Sequence, residues 1–186
     1  RRGYKALTQG MVAVAAGDAQ EARRQARKAD NLLAEPPLTM LLSAQAAQLS
    51  GDDEAAGKFF EAMAEKPETE YLGLSGMLNQ RLQDGDTEAA MELAEKASDL
   101  KPKTDTVNAT LLDLQIKNAD WEAAEDTVRK SIRAKLTDAD SGRRRRGVLN
   151  YQRSIEAEAE GRLGDALQMA QRANGLAPSF VPAALR

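Results

Sequence analysis

Apolar and polar positions along this chain follow a helical rhythm, and the rhythm restarts on a fixed period. Over residues 3–16, Leu7, Met11 and Val14 recur at four- and three-residue intervals, which places them on one face of an α-helix. Residues 85–102 show the basic unit most clearly. A Gly85-Asp86 turn is followed by Ala90, Ala94 and Ala97, and Pro102 closes the segment. That spacing describes a helix with a small-residue face, opened by a turn and ended by a helix stopper.

The unit recurs. Gly17, Gly51, Gly85 and Ala119 are separated by 34 residues each, every one is followed by Asp, and Ala22, Ala56, Ala90 and Ala124 sit five positions later. A fifth copy begins at Gly161 with Ala166, Ala170, Ala173 and Pro178, but it lies 42 residues after Ala119, so eight residues are inserted. Asp18, Asp52, Asp86 and Asp120 stand where a side-chain oxygen can cap the following helix. A 34-residue helix-turn-helix period is that of the tetratricopeptide repeat (TPR). The chain resembles that family at its small-residue positions: Gly10, Ala22 and Ala29 in the first copy, then Ala44, Ala56 and the aromatic Phe60. Ala90, Ala97 and Pro102 follow in the third, and Ser154, Ala166, Ala173 and Pro178 in the fifth. The family's Trp at repeat position 4 and Tyr at position 11 are missing throughout. The expected fold is all-α, a right-handed TPR-type superhelix of about five hairpins, because hairpins approach closely only where side chains are small.

The expected hairpins cover 3–35, 37–67, 70–102, 104–136 and 143–177, in one solenoid domain over 1–186. Pro36-Pro37 is read as the end of the first and Pro67 as the end of the second. Phe59, Phe60 and Met63 supply the bulkiest apolar cluster, and the single Trp121 is read as packing between hairpins. The register breaks over 136–142, after which Arg143-Arg144-Arg145-Arg146 is expected to open a helix running to about residue 161. A further helix is expected over 179–186. The chain starts Arg1-Arg2-Gly3-Tyr4 without Met and stops partway through a hairpin, which reads as a piece of a longer protein.

Composition narrows the chemistry. There are 26 Lys and Arg against 29 Asp and Glu, a net charge of -3 that argues against a general binder of polyanions. Cys and His are both absent, which excludes disulfides, thiol catalysis, Cys/His zinc sites and His-based general-base chemistry. Glu156, Glu158 and Glu160 recur at spacing two on a helix and so do not converge on one face. No catalysis and no cofactor are expected. For haem the only axial ligands left are Met and Tyr, and the Met residues read as packing groups.

Three stretches carry a closer resemblance: residues 4–18, with Tyr4, Leu7, Met11 and Gly17-Asp18; Pro37-Leu38-Thr39-Met40-Leu41-Leu42; and residues 156–161. They look like the HemY family of bacterial membrane-anchored TPR proteins. The resemblance implies an N-terminal anchor of two membrane spans outside this chain, an inner-membrane location with the cytoplasmic side favoured, and an association with haem biosynthesis that is not catalytic. It does not extend to the flavin-dependent oxidase of the same name, since no G-x-G-x-x-G dinucleotide fingerprint occurs.

TPR arrays hold partners along the first helix of each hairpin. Position 9 gives Met11, Gln45, Asn79, Asp113 and Ile155; position 5 gives Leu7, Leu41, Ser75, Ala109 and Tyr151; position 2 begins with Tyr4, Leu38 and Leu72. Gln45 and Asn79 can each donate to and accept from a peptide, and the remaining positions are mostly apolar. The groove therefore suits an apolar or amphipathic helix, and it lacks the Lys and Arg of a carboxylate clamp. A solvated face is the plainer reading. Arg143, Arg144, Arg145 and Arg146 form a candidate basic patch for an acidic protein or anionic headgroups, with an ordinary solvated helix start as the plainer reading. A soluble adaptor of another TPR family, or a superhelix that binds nucleic acid through the Arg run, are the competing functions. Nucleic acid is disfavoured because Tyr151 is the only nearby aromatic for base stacking.

Overall fold

The computed structural model describes residues 1–33 and 36–179. Among them are ten helices and no strand: α1 (Arg2–Ala16), α2 (Ala19–Leu32), α3 (Pro36–Leu49), α4 (Asp53–Ala64), α5 (Glu70–Asp84), α6 (Thr87–Leu100), α7 (Asp105–Lys117), α8 (Trp121–Arg133), α9 (Ala139–Ala159) and α10 (Leu163–Leu176). They form antiparallel hairpins in chain order, an all-α repeat fold. The helix expected over 179–186 lies outside the described residues, apart from residue 179 itself.

One turn design joins the two helices within each of four hairpins. At Gly17 the backbone is left-handed (φ 75°), its N–H donates to Val14 O, and the Asp18 N–H donates to Ala13 O. These are the paired bonds of a Schellman motif. Asp18 then caps α2 by accepting from the Glu21 N–H at 3.0 Å. The same pair of tasks falls to Gly51-Asp52, Gly85-Asp86 and Ala119-Asp120, where the Asp carboxylates accept from Ala55, Ala89 and Ala123. Gly161 repeats the first task, but Arg162 provides no side-chain cap.

By its contacts the chain forms two compact units, Arg1–Ala97 and Ser98–Arg186. In the first unit, Ala6, Ala22, Ala26 and Ala29 pack with Leu7 and Leu42, while Ala44, Ala56, Phe60 and Met63 form the next layer. Small residues allow this approach. A Cβ on Gly73 would overlap the backbone of Ala64, and one on Gly76 would overlap the Phe60 ring. In the second unit Ala124, Val128 and Leu149 make the core, with Trp121 half-buried against them. Two pairs of buried polar side chains satisfy one another there: Thr127 Oγ donates to Gln115 Oε1 at 2.8 Å and Ser98 Oγ to Asn108 Oδ1 at 2.9 Å.

Two expectations change. Pro36-Pro37 does not simply end a hairpin but opens α3, as the missing N–H of proline permits in a first helical turn. The inserted segment is not an irregular turn either. α8 ends in a further Schellman pair at Lys135 (φ 61°), Asp138 caps α9 by accepting from the Ser141 N–H at 2.8 Å, and the helix begins at Ala139. The Arg run therefore occupies the second turn of a 21-residue helix, against 15 residues in α1 and α5, and much of the insertion is spent in lengthening it.

Candidate functional site

Helices α1, α3 and α5 border an open groove of about 630 Å³ in the first unit, lined by Val14, Gln45, Gln48, Leu49, Asn79 and Leu82 among others. Its geometry follows from the repeat. Gln45 and Asn79 are one period apart, as are Gln48 and Leu82, so each pair takes equivalent places on successive first helices. Leu49 and Leu82 are 36% and 40% exposed, leaving apolar surface beside the amides. The described residues hold no group of acidic side chains arranged for a metal ion, and none of their helices is long and apolar enough to cross a membrane.

The residues singled out from the sequence are distributed unevenly. Gln45 and Asn79 are brought together. Tyr4, Leu38 and Leu72, at position 2 of successive repeats, are all exposed, and Met11 is exposed as well. Leu7 is 9% exposed and belongs to the core, Leu41 packs against the Phe60 layer, and Ser75 is half-buried with its hydroxyl donating to Tyr71 O at 2.7 Å. Asp113 is exposed and Tyr151 half-buried, both in the second unit. Val14, Gln48 and Leu82 share position 12, which the period alone points to.

Within the Arg run, Arg143, Arg144 and Arg145 are exposed on α9 and Arg146 is partly buried. Arg143 pairs with Asp140 and Arg144 donates to Ser141 Oγ at 3.2 Å, both within α9. Arg146 turns inward, where its Nε and Nη2 donate to Glu125 Oε1 at 3.1 and 3.0 Å. Glu125 is 1% exposed and also accepts from Arg129 at 3.1 Å and, on its other oxygen, from Arg153 at 3.4 Å. Burial alone would raise the Glu125 carboxyl; hydrogen bonds from Arg129 and Arg146 outweigh it and hold the group below the usual carboxylate range.

A second basic surface was not singled out in the sequence. Arg23, Arg24, Arg27 and Lys28 are exposed on α2 and line a cleft of about 1050 Å³ with Asn31 and Leu32. Arg24 is paired with Glu21 at 2.8 Å. Arg23, Arg27 and Lys28 have no ion pair among the described residues.

A repeated 34-residue hairpin with small residues at each close approach defines the class: this is a TPR-type α-solenoid protein. Solved structures agree on the fold. MamA of AMB-1 is similar in two structures, with TM-scores of 0.57 and 0.55, identities of 17% and 16%, and coverage of 94% of this chain and 91% and 98% of those chains. TTC0263, a thermophilic TPR protein in Thermus thermophilus, is similar with TM-score 0.51 and 16% identity over 99% of this chain and 96% of that one. Residues 1–51 match the family described as "HemY protein N-terminus", so the resemblance read from Tyr4, Leu7, Met11 and Gly17-Asp18 is borne out over that stretch. No curated protein sequence is significantly similar to the chain.

Proposed function

We propose that this chain is a non-catalytic protein-interaction scaffold whose groove takes an apolar or amphipathic helix of a partner protein. The observation that carries the reading is the meeting of Gln45 and Asn79 with Val14, Leu49 and Leu82 along one open groove. Amides at a fixed interval, beside exposed leucines, offer hydrogen bonds to the polar flank of a helix and a strip for its apolar face. We place the scaffold in a membrane-anchored HemY-like protein at the bacterial inner membrane, cytoplasmic side, serving haem biosynthesis. The match over residues 1–51 supports that placement. The anchor, the side of the membrane and the haem connection are part of the proposal.

The test is co-purification from native membranes of the anchored protein and of its Gln45→Ala/Asn79→Ala and Leu82→Arg variants. All three side chains are at least partly solvent-exposed, so the fold survives their loss. The reading requires one partner set that is lost from the variants. Equal recovery removes the groove. Porphyrin intermediates measured in cells carrying the same variants test the haem connection separately.

A further inference from the structure

We propose that the basic cleft on α2 is a self-association surface, and that its occupant is α6 of a second copy of this chain. Charge is unevenly placed in the protein. Residues 1–33 hold seven Lys and Arg against three Asp and Glu, although the chain as a whole is -3. The excess is displayed on one helix face, because Arg23, Arg24, Arg27 and Lys28 occupy two adjacent ridges of α2 at spacings of three and four. Little of this charge is used internally: Arg24 pairs with the half-buried Glu21, and the other three have no ion pair among the described residues.

The complementary surface is on the same chain. On α6, Glu88, Glu92 and Glu95 are all exposed, at i, i+4 and i+7. Among the described residues no side-chain hydrogen bond or ion pair engages them. Two repeats separate α6 from α2, so Glu92 and Glu95 fall 68 residues after Arg24 and Arg27, at the same places on the second helix of their hairpins. A ridge of guanidinium groups and a ridge of carboxylates thus share one helical pitch. Within one unit each stays where its own repeat holds it, but between two copies they can be laid against one another with several pairs in register. A helix laid along α2, with Ser50 at the edge of the cleft, brings its carboxylates to the cations on both ridges. Leu32, half exposed at the end of the cleft, adds an apolar contact.

The association is electrostatic and so weakens with salt, since screening shortens from about 30 Å at 0.01 M to about 3 Å at 1 M ionic strength. The experiment is sedimentation of residues 1–186 across protein concentration at low and high salt, with the Arg24→Glu/Arg27→Glu and Glu92→Arg/Glu95→Arg variants. These side chains are exposed, and thermal melts confirm that each variant is folded. The expected result is a mass that rises with concentration at low salt, falls to the monomer at high salt, and is monomeric for each variant alone. An equimolar mixture of the two variants regains a heterodimer, and a chain carrying all four substitutions regains self-association. A monomer at every concentration in low salt, or association that persists in Arg24→Glu/Arg27→Glu, overturns the proposal. A chain that stays monomeric yet binds anionic vesicles through Arg24 and Arg27 also overturns it and assigns the cleft to a lipid surface.

Discussion

Arg146 of α9 places both Nε and Nη2 on the same buried oxygen of Glu125 in α8, at 3.1 and 3.0 Å. Removing one partner of a buried pair costs about 3–5 kcal/mol, because the other is left charged and unpaired. The side chain of Arg146 is 22% exposed and that of Arg153 18%, which puts Glu125→Gln at the low end, about 3 kcal/mol. Denaturant unfolding of the two proteins at pH 7 measures this difference.

The same pair gives a pH signature. The folded carboxyl of Glu125 is lowered, so its contribution is full above the unfolded value of about 4.3 and is lost as pH falls through the folded value. The stability gap between the native chain and Glu125→Gln is therefore constant from pH 7 to about 5 and narrows below about 4.3. Unfolding series at several pH values check the sign; a gap that widens in acid contradicts it.

Ala119 stands in a left-handed turn (φ 57°) where the other copies have glycine. A Cβ there is strained by about 1–2 kcal/mol, part of which the greater unfolded-state freedom of glycine offsets. Ala119→Gly is expected to stabilise by about 1 kcal/mol. Gly85→Ala (φ 75°), with nothing within 4 Å of the added Cβ, is expected to destabilise by about as much. Paired thermal melts read both, and opposite signs are the required outcome.

Close helix packing predicts unequal costs for one added methyl. In Gly73→Ala the Cβ meets backbone of α4, while in Gly10→Ala it meets side chains alone, the end of Leu42 (Cδ2 at 2.5 Å) and the Cβ of Gln25 at 3.3 Å. Backbone must shift in the first case and a rotamer in the second. Gly73→Ala should cost about 1–3 kcal/mol or more and Gly10→Ala less, as unfolding midpoints will show.

The turns and helices were legible because their signals are local: a left-handed glycine followed by an aspartate cap reads the same in every copy. The start of α9 was missed although Asp138 carries the same cap signal, since the preceding Schellman turn uses Lys135 in place of glycine. Burial partners were out of reach for a different reason. Four consecutive arginines look like one basic site, yet the last of them, Arg146, is claimed by Glu125, 21 residues earlier in the chain. The scattered cations of α2 make less of an impression in the sequence, yet most of them have no ion pair among the described residues. In the groove, the period placed Gln45 and Asn79 together, but it did not show that Leu7 is drawn into the core.

The groove is the central claim, and site-specific photo-crosslinking in the native host tests it most directly. A crosslinker is placed at Gln45 or Asn79, and a control at Glu61 on α4, which is exposed and does not line the groove. The account predicts adducts with one partner from positions 45 and 79, none with that partner from position 61, and loss of the adducts when Leu82→Arg is added. Adducts of equal yield from all three positions, or none from 45 and 79 while the scaffold still recovers its partner, would contradict it.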